Sequence, residues 1–191
     1  MSKHQEEEVA MVTLMELIFG NEKMPMDQRP LQEIGIQLSL HQDQLHRVME
    51  LYLNALQQGL KDNVSYGGLD ALMDALARNE SEEFLKYPHQ IIESKAIDNG
   101  NYILGHVLKE KDVSRDLATN VSHRTGIEQD TLEILLPITA TLMMGRLGLY
   151  LDEVDDKKKR ETLLDILQIE EGTNLREMIL QKQKELYGKR G

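Results

Sequence analysis

Between Ile134 and Leu151 the chain carries a single charged residue, Arg146. Around that span, from Gln129 to Leu151, Leu132, Leu135, Leu136, Ile138, Leu142, Met143 and Leu147 cover more than one side of a helix. Such a helix must be enclosed by other apolar surface, so the segment predicts a central rod instead of a surface helix. Pro137 has no donor for an intrahelical bond and its ring crowds the preceding turn, which predicts a kink over residues 133–137. The span of about 18 residues is also long enough to cross a bilayer. Against that reading, Pro137, Gly145, Arg146 and Gly148 interrupt it, and no second hydrophobic segment accompanies it. The apolar stripes elsewhere in the chain also need something to cover, and a core helix supplies it.

Those stripes are regular. Gln5 to Phe19 reads as a first helix whose apolar face runs from Val9 to Phe19 and which Gly20 and Asn21 stop. Pro30 suits the first turn of a second helix, which ends near Leu38. Ser39 is placed as the N-cap of a third, in which Leu45, Val48, Met49, Tyr52, Leu56 and Leu60 form one stripe ending at Lys61 to Asn63. Ser65, Gly67 and Gly68 introduce a fourth, with Leu69, Leu72, Met73 and Leu76 buried and its end near Asn79. The polar stretch Glu80 to Lys95, broken by Pro88, reads as a mobile connection between halves. Asp98, Asn99 and Gly100 then precede a short helix with Ile103, Leu104, Val107 and Leu108, and another runs from Ser114 to about Arg124, closed by Gly126. Beyond Leu151 two amphipathic helices are expected, around Leu163 to Leu167 and Leu175 to Leu186. No stretch alternates with a period of two, so no strand is assigned.

Composition narrows the function classes. Hydrophobic residues make up 40% and charged residues 29% of the 191 residues, a globular balance within the size of one domain. With no cysteine, thiolate nucleophiles, thiolate zinc sites and iron-sulfur clusters are excluded. A net charge of -11 repels nucleic acid and anionic membranes at long range. Glu6, Glu7 and Glu8 stand where a secretory leader carries positive charge, so the expectation is a cytoplasmic protein.

Candidate chemistry is sparse. His106 could shuttle a proton or bind a metal if carboxylates converged on it, although a helix-face histidine bonded to a carbonyl is commoner. His41 and His46 are five apart, a poor spacing for shared metal binding. Asp152, Glu153, Asp155 and Asp156 lack the oxygen-ligand order of a calcium loop and read as a solvated block. Asp98 to Asn101 reads as a helix cap. No phosphate-binding glycine loop, nucleophile elbow or paired catalytic carboxylate occurs. The reading therefore assigns no catalytic, cofactor-binding or metal-binding residue, and no cofactor.

Shifting the chain by 87 positions lays Leu40 on Ile127, Gln42 on Gln129, Asp43 on Asp130, Leu45 on Leu132, Val48 on Leu135 and Leu60 on Leu147. This suggests two copies of a short helix, tight turn and long helix. The alternative is that two amphipathic helices align by periodicity alone.

Asn101-Tyr-Ile-Leu-Gly-His-Val-Leu108, followed by Thr125-Gly-Ile127, Leu135-Leu-Pro137 and Met144-Gly-Arg-Leu147, resembles the YidB-like family of bacterial proteins, a domain of unknown function. Leu38-Ser-Leu40, the long helix to Leu60 and Gly67-Gly-Leu-Asp-Ala-Leu72 are similar to that family's first half. The resemblance covers roughly residues 10 to 150 and rests on the succession of motifs more than on any one. The chain lacks the long glycine-rich tracts common in the family and adds about forty residues after Leu151. The resemblance implies an all-helical fold, sometimes likened to DNA-binding helical domains, and it brings no established activity or functional residue.

The combined expectation is an all-α bundle around the kinked apolar helix, with a family domain over residues 1–151 and a helical extension over 152–191. Its function is expected to be non-enzymatic, an interaction module for a protein partner or a second copy, with no membrane association. The alternative is a nucleic-acid-associated protein. It would use the helical pair Leu31 to Leu60, or the basic residues Arg176, Lys182, Lys184, Lys189 and Arg190 of a terminal helix.

Overall fold

The helix signals resolve into nine α-helices and one 3₁₀ segment, with no strand among the described residues of the computed structural model, which are 11–169 together with 181, 184 and 185. In chain order the helices are α1 (Leu14–Phe19), α2 (Arg29–Gln37), α3 (Gln42–Ser65), α4 (Leu69–Arg78) and α5 (Glu83–Lys86). The 3₁₀ segment Pro88–Ile92 leads to α6 (Ser94–Val107), α7 (Lys111–Thr125), α8 (Gln129–Asp152) and α9 (Lys159–Ile166).

The apolar rod is α8, and it is central. Every residue from Leu135 to Gly148 is buried. The helix continues through Pro137 and is packed against α1, α3, α4, α5, α6, α7, α9 and the 3₁₀ segment. The glycines that counted against a membrane span act as contact points: a side chain at Gly145 would meet Leu85, and one at Gly148 would meet Asn79. At the crossing with α6, Gly100 lies so near the Pro137 backbone that no Cβ fits. Tyr52 ties α3 to the same rod, its hydroxyl donating to the Leu132 carbonyl at 2.8 Å. One continuous core runs from Leu14 to Ile169, so the residues following Leu151 join it through Leu163, Leu164 and Leu167, all fully buried.

Several boundaries differ from the sequence reading. Residues 11–13 are not helical; Thr13 caps α1 by accepting from the Glu16 N–H, and residues 5–10 lie outside the described residues. Ser39 does not cap α3. It stands at φ 54 as the left-handed residue that ends α2, with its own N–H donating to Ile36 and that of Leu40 to Gly35. The start of α3 falls instead to His41, whose N–H donates to Gln44 Oε1. Asp98, Asn99 and Gly100 do not precede α6 but lie inside it, since the helix begins at Ser94. The stretch from Glu80 to Lys95 is not a mobile connection: Phe84 and Ile91 are buried, and α5 and the 3₁₀ segment pack on α8. Two apolar anchors suffice to seat a segment whose other residues are polar. The expected helix around Leu175 to Leu186 lies outside the described residues.

The offset of 87 recurs in the elements. It carries α3 onto α8, both 24 residues long, and the left-handed Ser39 onto the left-handed Gly126. It also carries α1 into α6, α2 into α7 and most of α4 onto α9. The two halves reach across to each other: Asn79 at the end of α4 donates to the Gly145 carbonyl of α8, and Gln57 of α3 donates to the Leu167 carbonyl beyond α9.

Candidate functional site

Helices α4 and α6 run along α8 with a groove between them. Gly68, Ala71, Ala75 and Arg78 recur at three- and four-residue spacing and present one face of α4 to it. Tyr102, His106 and Val107 supply the opposite wall from α6. The small residues of α4 keep its wall low, and the groove, about 200 Å³ in volume, is mainly apolar. Its floor is thinly covered. Leu72, Ile103 and Met144 retain 8–9% exposure in a core where most side chains keep 2% or less.

The rims are aromatic and basic. Tyr102 is 67% exposed and meets the His106 ring edge-on at 4.7 Å. Past the far end of α6, Lys109 sits over the exposed Tyr66 ring, 5.2 Å from its centre. Asn63 donates to the His106 carbonyl at 3.2 Å and so pins that end of α6 to α3. At the other end the groove passes into a polar recess of about 50 Å³ beside Asn79, Ser81 and Asn99. There Asn99 Nδ2 donates to Ser81 Oγ and Thr141 Oγ1, while Asn79 Oδ1 is buried without a partner among the described residues. Such a recess has the size and the acceptor for an ordered water. Among the described residues Arg78 makes no ion pair and no carboxylate lines the 200 Å³ groove. The arrangement suits an apolar side-chain row flanked by an acid.

The residues singled out in the sequence are dispersed. His106 faces this groove, beside Tyr102 and without a lining acid. His41 stands at the start of α3, whereas His46 stacks on Phe19 with centroids 4.0 Å apart. Asp152, Glu153, Asp155 and Asp156 are exposed, and Asp156 pairs with Lys159 at 3.0 Å. No group of three His, Asp or Glu residues with metal-binding proximity occurs among the described residues. On α3 the outward residues Gln44, Arg47, Glu50 and Asn54 are exposed, but Gln57 is engaged with Leu167. Of the basic residues near the end, Lys184 is exposed, and Arg176, Lys182, Lys189 and Arg190 lie outside the described residues.

The groove escaped the sequence reading because its signal was small residues on α4, which were passed over in favour of that helix's apolar side. Arg146 was equally unforeseen in its setting. It is 4% exposed, donates through one terminal nitrogen to the Asp27 carbonyl at 2.7 Å, and its Nε has no partner among the described residues. Burial lowers its pKa, and the nearby Asp27 partly offsets this.

A family model described as a bacterial protein of unknown function, DUF937, matches residues 22–149. That range takes in α2 through α7 and nearly all of α8, and with them both walls and the floor of the groove. Comparison with curated proteins and with solved structures finds no match to the chain.

Proposed function

The chain belongs to the bacterial DUF937 family, and we propose that this member is a non-enzymatic helical module that binds protein through the groove between α4 and α6. The observation that carries the reading is the thin cover over Leu72, Ile103 and Met144 between two walls built for close approach. The walls run antiparallel: Arg78 and Tyr102 line the recess at one end, and at the other Asn63, packed against Gly68, donates to the His106 carbonyl. From Gly68 to Arg78 α4 rises about 15 Å, the length of nearly three helical turns. An amphipathic helix laid along it would bury an i, i+3, i+4, i+7 row against the floor and set an acid beside Arg78. The reading includes action in the aqueous cytoplasm, supported by the burial of α8, whose apolarity is accounted for by its neighbours.

Ala71 is exposed and lines the groove, so Ala71→Trp fills the space without entering the core. Parallel affinity capture with the native chain and with Ala71→Trp is expected to show a protein lost from the variant while thermal unfolding stays unchanged. A variant that keeps every protein bound by the native chain contradicts the reading.

A further inference from the structure

Helix α6 contains two interior glycines, and the fold explains one. Gly100 is required by the Pro137 backbone, whereas a Cβ at Gly105 would meet nothing within 4 Å. Glycine weakens an exposed helix interior, so Gly105 has a local cost with no compensating contact among the described residues. One turn before it stands Tyr102, 67% exposed, and another turn earlier the exposed Asp98. Spacings of four and three put Asp98, Tyr102 and Gly105 on one side of the helix, a notch beside a protruding ring. Lys109 follows in a left-handed turn past the helix end, its ammonium over the Tyr66 ring, and neither Asp98 nor Lys109 makes an ion pair among the described residues.

We propose that a second copy of the chain docks on this outward face of α6, with the two α6 helices antiparallel about a two-fold axis. An axis passing between Ile103 and Leu104 sets each Tyr102 against Gly105 of the other copy. The same operation brings each Asp98 towards the other copy's Lys109, so the contact is self-complementary in shape and in charge. The ring gains the cover it lacks in one chain, and the missing Cβ lets the helices approach. A single pair of helices is small for an interface, so the dimer forms with concentration and is weak.

Light scattering on the full chain over a wide concentration range is expected to show a monomer passing into a dimer. Gly105→Ala should raise the melting temperature of the chain yet weaken pairing by about tenfold, because a methyl fills the notch while favouring the helix. Asp98→Lys alone should weaken pairing, and Asp98→Lys with Lys109→Asp in one chain should restore it. A native chain that stays monomeric up to submillimolar concentration, pairing unaffected by Gly105→Ala, or a charge swap that fails to restore overturns the proposal. Those results leave the groove reading standing if Ala71→Trp still loses a different protein, so the two failures are separable.

Discussion

Tyr52 and Arg146 show how polar groups inside this core are managed, and the exposed Asp27 how one at its edge is. Burial raises the Tyr52 pKa, with Glu133 adding to it, so the hydroxyl stays protonated and keeps donating to Leu132. Arg146 reaches out of the core to a main-chain carbonyl of the loop before α2, and at that loop Asp27 is paired with Arg29 at 2.8 Å. The side-chain hydrogen bond from Arg29, with a backbone one from the same residue, lowers the Asp27 pKa from 3.8 to about 2. A lowered carboxyl pKa stabilises the fold in full above its ordinary value, and the contribution fades as pH falls through about 2. The pair is largely exposed, so its effect on stability is small and the titration itself is the better readout. Carboxyl-detected NMR should give Asp27 a midpoint near 2, and Arg29→Gln should move it up towards 3.8. An unchanged midpoint in the variant would show that Arg29 is not the cause.

At the scale of elements, helix ends were legible where one residue type dominates the physics. Pro30 in the first turn of α2, the end of α4 at Asn79, the left-handed cap at Gly126 and the extent of α8 all followed from local chemistry. Ser39 was misread because a serine before a stripe signals an N-cap, whereas here the end of α2 takes the left-handed turn at that position. Asp98 to Gly100 has the composition of a cap, yet tertiary contact carries α6 straight through it: Asn99 bonds Ser81 and Thr141, and Gly100 admits the Pro137 backbone. The groove was illegible for a related reason, since which face of α4 stays uncovered depends on where α6 crosses α8. The crossing yields its own test. Gly100→Ala should lose about 1–3 kcal/mol in chemical denaturation because backbone, not a flexible side chain, must move aside. A stabilisation there, as ordinary helix propensity would give, contradicts the close approach.

Across the whole molecule the central rod organises two similar runs of helices. The offset of 87 that the sequence suggested carries four helices onto four, leaving α5 and the 3₁₀ segment as the join. Each run sends its last helix towards the other's long one, through Asn79 to Gly145 and Leu167 to Gln57. All-round apolarity in α8 was the sequence's clearest statement about architecture, and its burial from Leu135 to Gly148 is the structural counterpart. Burial of that kind makes one dynamic demand: its amides should open only when the whole bundle opens. Native-state hydrogen exchange in detergent-free buffer measures this amide by amide. The amides from Ile138 to Leu147 are expected to be the slowest in the chain and to share one opening free energy, equal to that of global unfolding. Exchange there as fast as in the short helices α1 and α5 would contradict a rod enclosed by its neighbours.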